Sequence, residues 1–129
     1  MALPELSRFE LQCLRLLWSR GRATVREIHA AMDSPPSYST VRKIFERLEQ
    51  KGAVTRDGME GKACAYRSAV SPSSMIRKEI RGFLDGLFDG RAAPLIAHLA
   101  EMRELSLDDL RRIESLLEDR PDRPAGGSR

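Results

Sequence analysis

Three polar signatures of one kind punctuate this chain: Ser7 with Glu10, Thr24 with Glu27, and Ser106 with Asp109, each three residues apart and each heading an apolar stripe. A hydroxyl that accepts from the amide three residues on, answered by a carboxylate that accepts from the cap's own amide, satisfies two donors that a helix start leaves unpaired. Local chemistry therefore sets helix starts in both halves of the sequence. Phe9, Leu11, Leu14, Leu16, Leu17 and Trp18 predict a first helix over about residues 8 to 19, stopped by Gly21. Val25, Ile28, Ala31 and Met32 predict a short second helix that ends before Pro35.

Ser37 heads a third helix after the Pro35-Pro36 break. Val41, Ile44, Phe45 and Leu48 recur at i, i+3, i+4 and i+7, which gives this helix one buried face, and Gly52 ends it. Its other face carries Ser39, Arg42, Lys43, Glu46, Arg47 and Gln50. Residues 53 to 56 and 63 to 68 read as short strands on either side of a charged, glycine-bearing tip, DGMEGK. Three helices followed by a hairpin describe a winged helix-turn-helix, mainly α with a small β wing. Periodicity alone leaves another small α+β arrangement open.

Beyond Val70 the pattern is purely helical. Ser71 caps a helix with Pro72 at its first position, and Met75, Ile76, Ile80, Phe83, Leu84, Leu87 and Phe88 form its stripe. Gly82 and Gly86 interrupt the stripe at a cost in helix propensity and suit close approach of another helix. A further helix over 91–102 carries Leu95, Ile96 and Leu99. The last is opened by Ser106 and Asp109 between Leu105 and Leu110, and carries Leu107, Ile113, Leu116 and Leu117.

About fifty positions are too few to hide that much apolar surface in one chain, and a partner with the same surplus is the simplest use for it. The sequence thus predicts a symmetric homodimer through Ile76, Ile80, Phe83, Leu84, Leu87, Phe88, Leu95, Ile96, Leu99, Leu110, Ile113 and Leu117. Folding of these helices back on the first domain is the alternative. The expected organisation is a winged-helix domain over 1–70, a three-helix dimerisation domain over 71–119, and a loose tail from Arg120, where RPDRPAGGSR offers nothing to bury.

Charge is unevenly placed. Residues 1 to 70 hold 12 Lys/Arg against 8 Asp/Glu, whereas residues 71 to 129 hold 10 against 11, so the first half is the better candidate for touching a polyanion. In a helix-turn-helix the second helix of the pair enters the major groove with its N-terminal residues nearest the base edges. Ser39, Thr40 and Lys43 are then base-edge candidates, Arg42 reaches base or phosphate, and Arg47 suits the backbone. Ser37 and Tyr38 stand beside amides that bind phosphate directly. Lys62 at the hairpin tip, with Arg56 and Arg67 on the strands, suits adjacent phosphates or the minor groove, and Arg22 and Arg26 are further phosphate candidates. Two such domains in a dimer would read an inverted repeat in double-stranded DNA, with steep salt dependence. The plain alternative for the patch is a solvated helix face.

Other chemistries find little support. His29 and His98 sit on separate predicted helices without a glycine-rich phosphate loop or a metal-ligand array, so no enzyme, cofactor or metal is expected. Cys13 and Cys64 lack ligand spacing and read as small buried or half-buried residues. Trp18 lies in the first apolar stripe and Tyr66 alternates within a strand, which makes both core residues rather than a stacking pair. There is no apolar run long enough for a bilayer, and MALPELSRFE has neither the basic region nor the apolar stretch of a secretion signal. The expectation is a cytoplasmic protein without membrane insertion.

The segments LSRFELQCLRLLWSRGRATVREIHAAM, SYSTVRKIFERLEQKGAVTRD and EGKACAYRSAVS together resemble the BlaI/MecI penicillinase-repressor family of bacterial winged-helix regulators. Leu17-Trp18, Ser39-Thr40-Val41, Arg47-Leu48, Lys51-Gly52 and Gly61 through Tyr66 carry the likeness in the first half. Phe83-Leu84, Leu87-Phe88 and Pro94-Leu95-Ile96-Ala97-His98 carry it in the second, and it covers nearly everything from Leu6 to Glu118. The resemblance implies a homodimeric repressor of a palindromic operator, controlling β-lactamase or related resistance genes. It also implies a membrane-bound sensor protease pathway that leads to repressor cleavage at an Asn-Phe bond in the fifth helix. The matching bond here is His98-Leu99, which departs from that pair. A copper-responsive branch ends in a cysteine-rich motif, and this chain has no cysteine after Cys64.

Two functions of different kinds follow: an operator-binding repressor that excludes polymerase, relieved by cleavage or by a small-molecule inducer, and a winged-helix protein-interaction module whose Arg42, Lys43 and Arg47 meet an acidic surface.

Overall fold

The Ser7 hydroxyl accepts from the Glu10 amide at 3.2 Å while the Glu10 carboxylate accepts from the Ser7 amide at 2.8 Å, and helix α1 (Arg8–Arg20) starts from that reciprocal pair. Residues 3 to 119 are described in this computed structural model, and the tail expected from Arg120 lies outside the described residues. Gly21, at φ 82°, turns the chain out of α1, a left-handed conformation that costs glycine nothing. A two-residue strand β1 (Ala23–Thr24) follows, and Thr24 also caps α2 (Val25–Ala31) in a second capping box with Glu27. Ser37 caps α3 (Tyr38–Gln50).

β2 (Val54–Glu60) and β3 (Ala63–Ser68) form the wing, and with β1 they make an antiparallel sheet in the order β1-β3-β2. Two features differ from the sequence reading. β1 was not expected, because two residues carry no strand periodicity; it exists only through its pairing of Ala23 with Tyr66 and Thr24 with Ala65. The expected DGMEGK loop is also shorter than read, since β2 continues to Glu60 and leaves a turn at Gly61 and Lys62. The register breaks between Arg56 and Met59, where Gly58 at φ 78° absorbs the irregularity, and pairing resumes at Met59 with Cys64.

The chain divides into two compact units that part after Ile80, within α4 (Pro72–Leu87). In the first, Cys13, Leu14 and Leu17 of α1, Ile28 of α2, and Val41, Ile44, Phe45 and Leu48 of α3 form a closed core with Val54 and Tyr66 of the wing. The helical stripes read from the sequence supply the faces that meet, except that Phe9, read into the α1 stripe, is exposed. Phe45 and Tyr66 pack with ring centroids 5.3 Å apart. The Trp18 indole donates to Ser68 Oγ at 2.9 Å, so Trp18 is half-buried structure, as expected of it. Met75, in the first turn of α4, is fully buried in this unit. Burial pushes the Cys13 thiol up to about 11, with the Glu10 charge adding to the effect, which leaves it inert.

The second unit contains the end of α4, α5 (Ala92–Glu101) and α6 (Leu107–Glu118). Ser106 and Asp109 form the third capping box, with amide contacts of 3.0 and 2.9 Å. Phe88 contacts both Phe83 and the His98 ring at 5.8 Å. The fold is mainly helical with a small antiparallel wing, the winged helix-turn-helix plus helical region that the sequence predicts. Among the described residues no helix is long and apolar enough to cross a membrane.

Candidate nucleic-acid interface

Because α3 buries Val41, Ile44, Phe45 and Leu48, its opposite face is left to solvent, and Ser39, Thr40, Arg42, Lys43 and Arg47 are all exposed there. The start of the helix is tightly organised. Ser37 Oγ accepts from the Thr40 amide at 3.2 Å and lies 2.9 Å from the Thr40 hydroxyl and 3.2 Å from that of Ser39. His29 Nε2 donates to the Pro36 carbonyl at 2.9 Å, fixing the turn that delivers α3. The Tyr38 ring is met edge-on by His29, with centroids 5.9 Å apart, and Arg26 lies over it at 5.0 Å.

A cleft of about 630 Å³ runs between this region and the wing, and brings Arg26, Tyr38 and Arg42 together with Lys62 and Cys64. Tyr66 lines its floor, with its phenol pushed up by burial first and the neighbouring Cys64 second. Arg67 is exposed on β3 outside this cleft. Among the described residues Arg26, Arg42, Lys43, Lys62 and Arg67 form no ion pair. Of the cations expected at the interface, these are the ones left available to an anionic ligand.

Three other expected phosphate contacts are engaged within the molecule. Arg47 Nε donates to Glu10 Oε2 at 3.2 Å. Arg56 Nε donates to Glu49 Oε2 at 3.0 Å. Arg22 is bound to Asp57, Met59 and Glu60 of β2. The sequence reading missed the acids because Glu10 and Arg47 are 37 positions apart, and Arg22 and Glu60 are 38. Only Glu49 and Arg56, seven positions apart, were within reach of a local argument.

The residues expected at a dimer contact separate into two groups. Ile76, Ile80, Phe83 and Leu87 share one face of α4 at 49%, 49%, 49% and 66% exposure, and Ile96, Leu110 and Leu117 are also exposed. Leu84 is buried, and Phe88, Leu95, Leu99 and Ile113 are half-buried. A Cβ built on Gly82 or Gly86 meets no atom within 4 Å, so close packing at these glycines is not made within the described chain. His98 is exposed and Leu99 half-buried, and the bond between them lies inside α5.

A family model described as penicillinase repressor matches residues 6–119. The chain belongs to the penicillinase repressor family. The methicillin resistance regulatory protein MecI of Staphylococcus aureus is 26% identical over 117 residues, covering 88% of this chain and 93% of that protein. Among solved structures, wild-type apo MarR of E. coli shares the fold with a TM-score of 0.51 at 15% identity, over 88% of this chain and 76% of that one. A MarR variant from E. coli complexed with operator DNA gives 0.50 at 15% identity, over 88% and 74%. Membership makes the chain a homologue of winged-helix DNA-binding transcriptional repressors, which are regulators and not enzymes. Among the described residues no group of His, Cys, Asp and Glu is placed to hold a metal.

Proposed function

We propose that the chain is a homodimeric repressor that occupies a palindromic operator, with α3 in the major groove and the wing along the adjacent backbone. The observation that carries this reading is a set of cations that form no ion pair among the described residues: Arg42 and Lys43 on the open face of α3, and Arg26 and Lys62 around the cleft beside it. Such cations suit a polyanion, and the hydroxyls of Ser39 and Thr40 at the start of α3 are the candidates for base-edge contacts. A MarR variant that shares this fold is complexed with operator DNA, which agrees with a DNA-binding role. Bound this way the protein blocks a promoter without chemistry of its own.

The apolar face of α4, with Ile76, Ile80, Phe83 and Leu87, supports self-association of the helical arm. We assign the regulated genes to β-lactam resistance or a related response, by likeness to MecI. Relief through a sensor-protease pathway at His98-Leu99 requires α5 to open first, because a helical backbone does not fit a protease cleft. A small-molecule inducer is the second reading. It is favoured by an apolar groove of about 440 Å³ lined by Leu11, Trp18, Met75, Ile76 and Ile80, with Arg15 and Glu79 also on its lining.

The test is anisotropy of a labelled duplex titrated with protein across salt concentrations. Tight binding that weakens steeply with salt supports the repressor reading; salt-independent or absent binding moves the assignment to a protein-interaction module.

A further inference from the structure

The DNA reading places Lys62 at the wing tip on the phosphate backbone, yet the tip is a two-residue turn on a hairpin whose ladder is broken just below it. Asp57 and Gly58 have no partner across β3, so the backbone there must be held by something other than the sheet. Arg22 does this. It precedes β1, which β3 separates from β2. From there Nε donates to the Asp57 carbonyl at 2.9 Å, Nη2 to the Met59 carbonyl at 3.2 Å, and Nη1 to Glu60 Oε1 at 2.5 Å. The Asp57 carboxylate adds an ion pair at 3.5 Å.

An exposed ion pair alone is a weak device that salt screens. Here one planar fork serves two carbonyls and a carboxylate at once, a geometry that lysine cannot reproduce. Gly58 is fitted to it: a Cβ at that position would lie 3.3 Å from Arg22 Nη2.

We propose that Arg22 is a wing-positioning residue: anchored on Glu60 and on the carbonyls of Asp57 and Met59, it fixes the hairpin so that Lys62 reaches the DNA backbone. This rests on the DNA reading above. It also inverts the expected sign at Glu60, an acid near the DNA-facing cleft whose removal should weaken binding.

The experiment compares wild type, Arg22→Lys and Glu60→Ala by duplex binding, using a labelled mixed-sequence duplex at low salt, and by amide hydrogen exchange of residues 57 to 62 without DNA. Positioning predicts affinity about fivefold weaker in Arg22→Lys and about threefold weaker in Glu60→Ala, with faster wing exchange in both. Near-wild-type binding by Arg22→Lys together with tighter binding by Glu60→Ala would make Arg22 an ordinary phosphate contact and overturn the proposal. Unchanged wing exchange overturns it as well. If the wild type fails to bind duplex, the DNA reading falls, while the exchange measurement still decides whether Arg22 holds the wing.

Discussion

Lys51 Nζ donates to Glu10 Oε1 at 2.7 Å, joining the residue after α3 to the first turn of α1. Arg47 takes the other carboxylate oxygen, and the Ser7 amide shares the first. Glu10 is 1% exposed, so a residue that reads from sequence as half of a capping box is also the buried anchor of α3. Burial alone would raise its carboxyl; hydrogen bonds from Lys51, Ser7 and Arg47 outweigh burial and hold it down at about 2.

A carboxyl with a lowered folded pKa contributes stability above its ordinary value of 4.5, and loses that contribution as pH falls toward 2. Glu10→Gln should therefore cost roughly 1 to 3 kcal/mol at neutral pH. The gap from wild type should narrow steadily below pH 4.5. Urea denaturation of both proteins across the acid range checks this, and a gap that stays constant with pH would disprove the linkage.

Arg42 and Arg47 are both exposed on α3 but on different sides of it, Arg42 lining the cleft beside the wing and Arg47 bonded to Glu10 of α1, and they should behave differently. Arg42→Ala should weaken duplex binding and flatten the slope of log affinity against log salt by roughly 0.9, with little change in melting temperature. Arg47→Ala should cost about 1 kcal/mol of stability through its lost bond to Glu10 and leave the slope unchanged. Salt titrations paired with thermal melts separate the two effects.

Trp18→Phe removes the indole donor to Ser68 while keeping most of the buried ring. The expected outcome is a loss of about 1 kcal/mol in stability with duplex affinity unaltered. A selective loss of DNA affinity would instead place Trp18 at the interface.

Phe83→Glu places a charge in the exposed apolar face of α4. Sedimentation at micromolar protein should show a dimer for the wild type and a monomer for the variant, with helical content retained. A monomeric wild type would leave the α4 face without the assigned partner.

Much of the fold was legible because its decisive signals are short-range. Ser7, Thr24, Ser37 and Ser106 each mark a helix start through a bond to an amide three residues away, and the stripe in α3 names its own buried face. β1 escaped because its pairing lies on a strand far along the chain; the extension of β2 pairs close by, Met59 with Cys64 and Glu60 with Ala63, but Gly58 hides its continuity behind a turn-like composition. The same limit applies to the interface. Composition located the basic surface, but only the folded chain separates the cations that brace it, Arg22, Arg47 and Arg56, from Arg26, Arg42, Lys43, Lys62 and Arg67, which form no ion pair among the described residues.

Operator binding through the open face of α3 is tested by genome-wide mapping of DNA bound by the tagged protein in its own host, with an Arg42→Ala/Lys43→Ala variant as the control. Sharp peaks over an inverted repeat at promoters are expected, lost in the variant although it folds normally. Absence of such peaks, or peaks that persist unchanged in the variant, would contradict operator binding through the open face of α3.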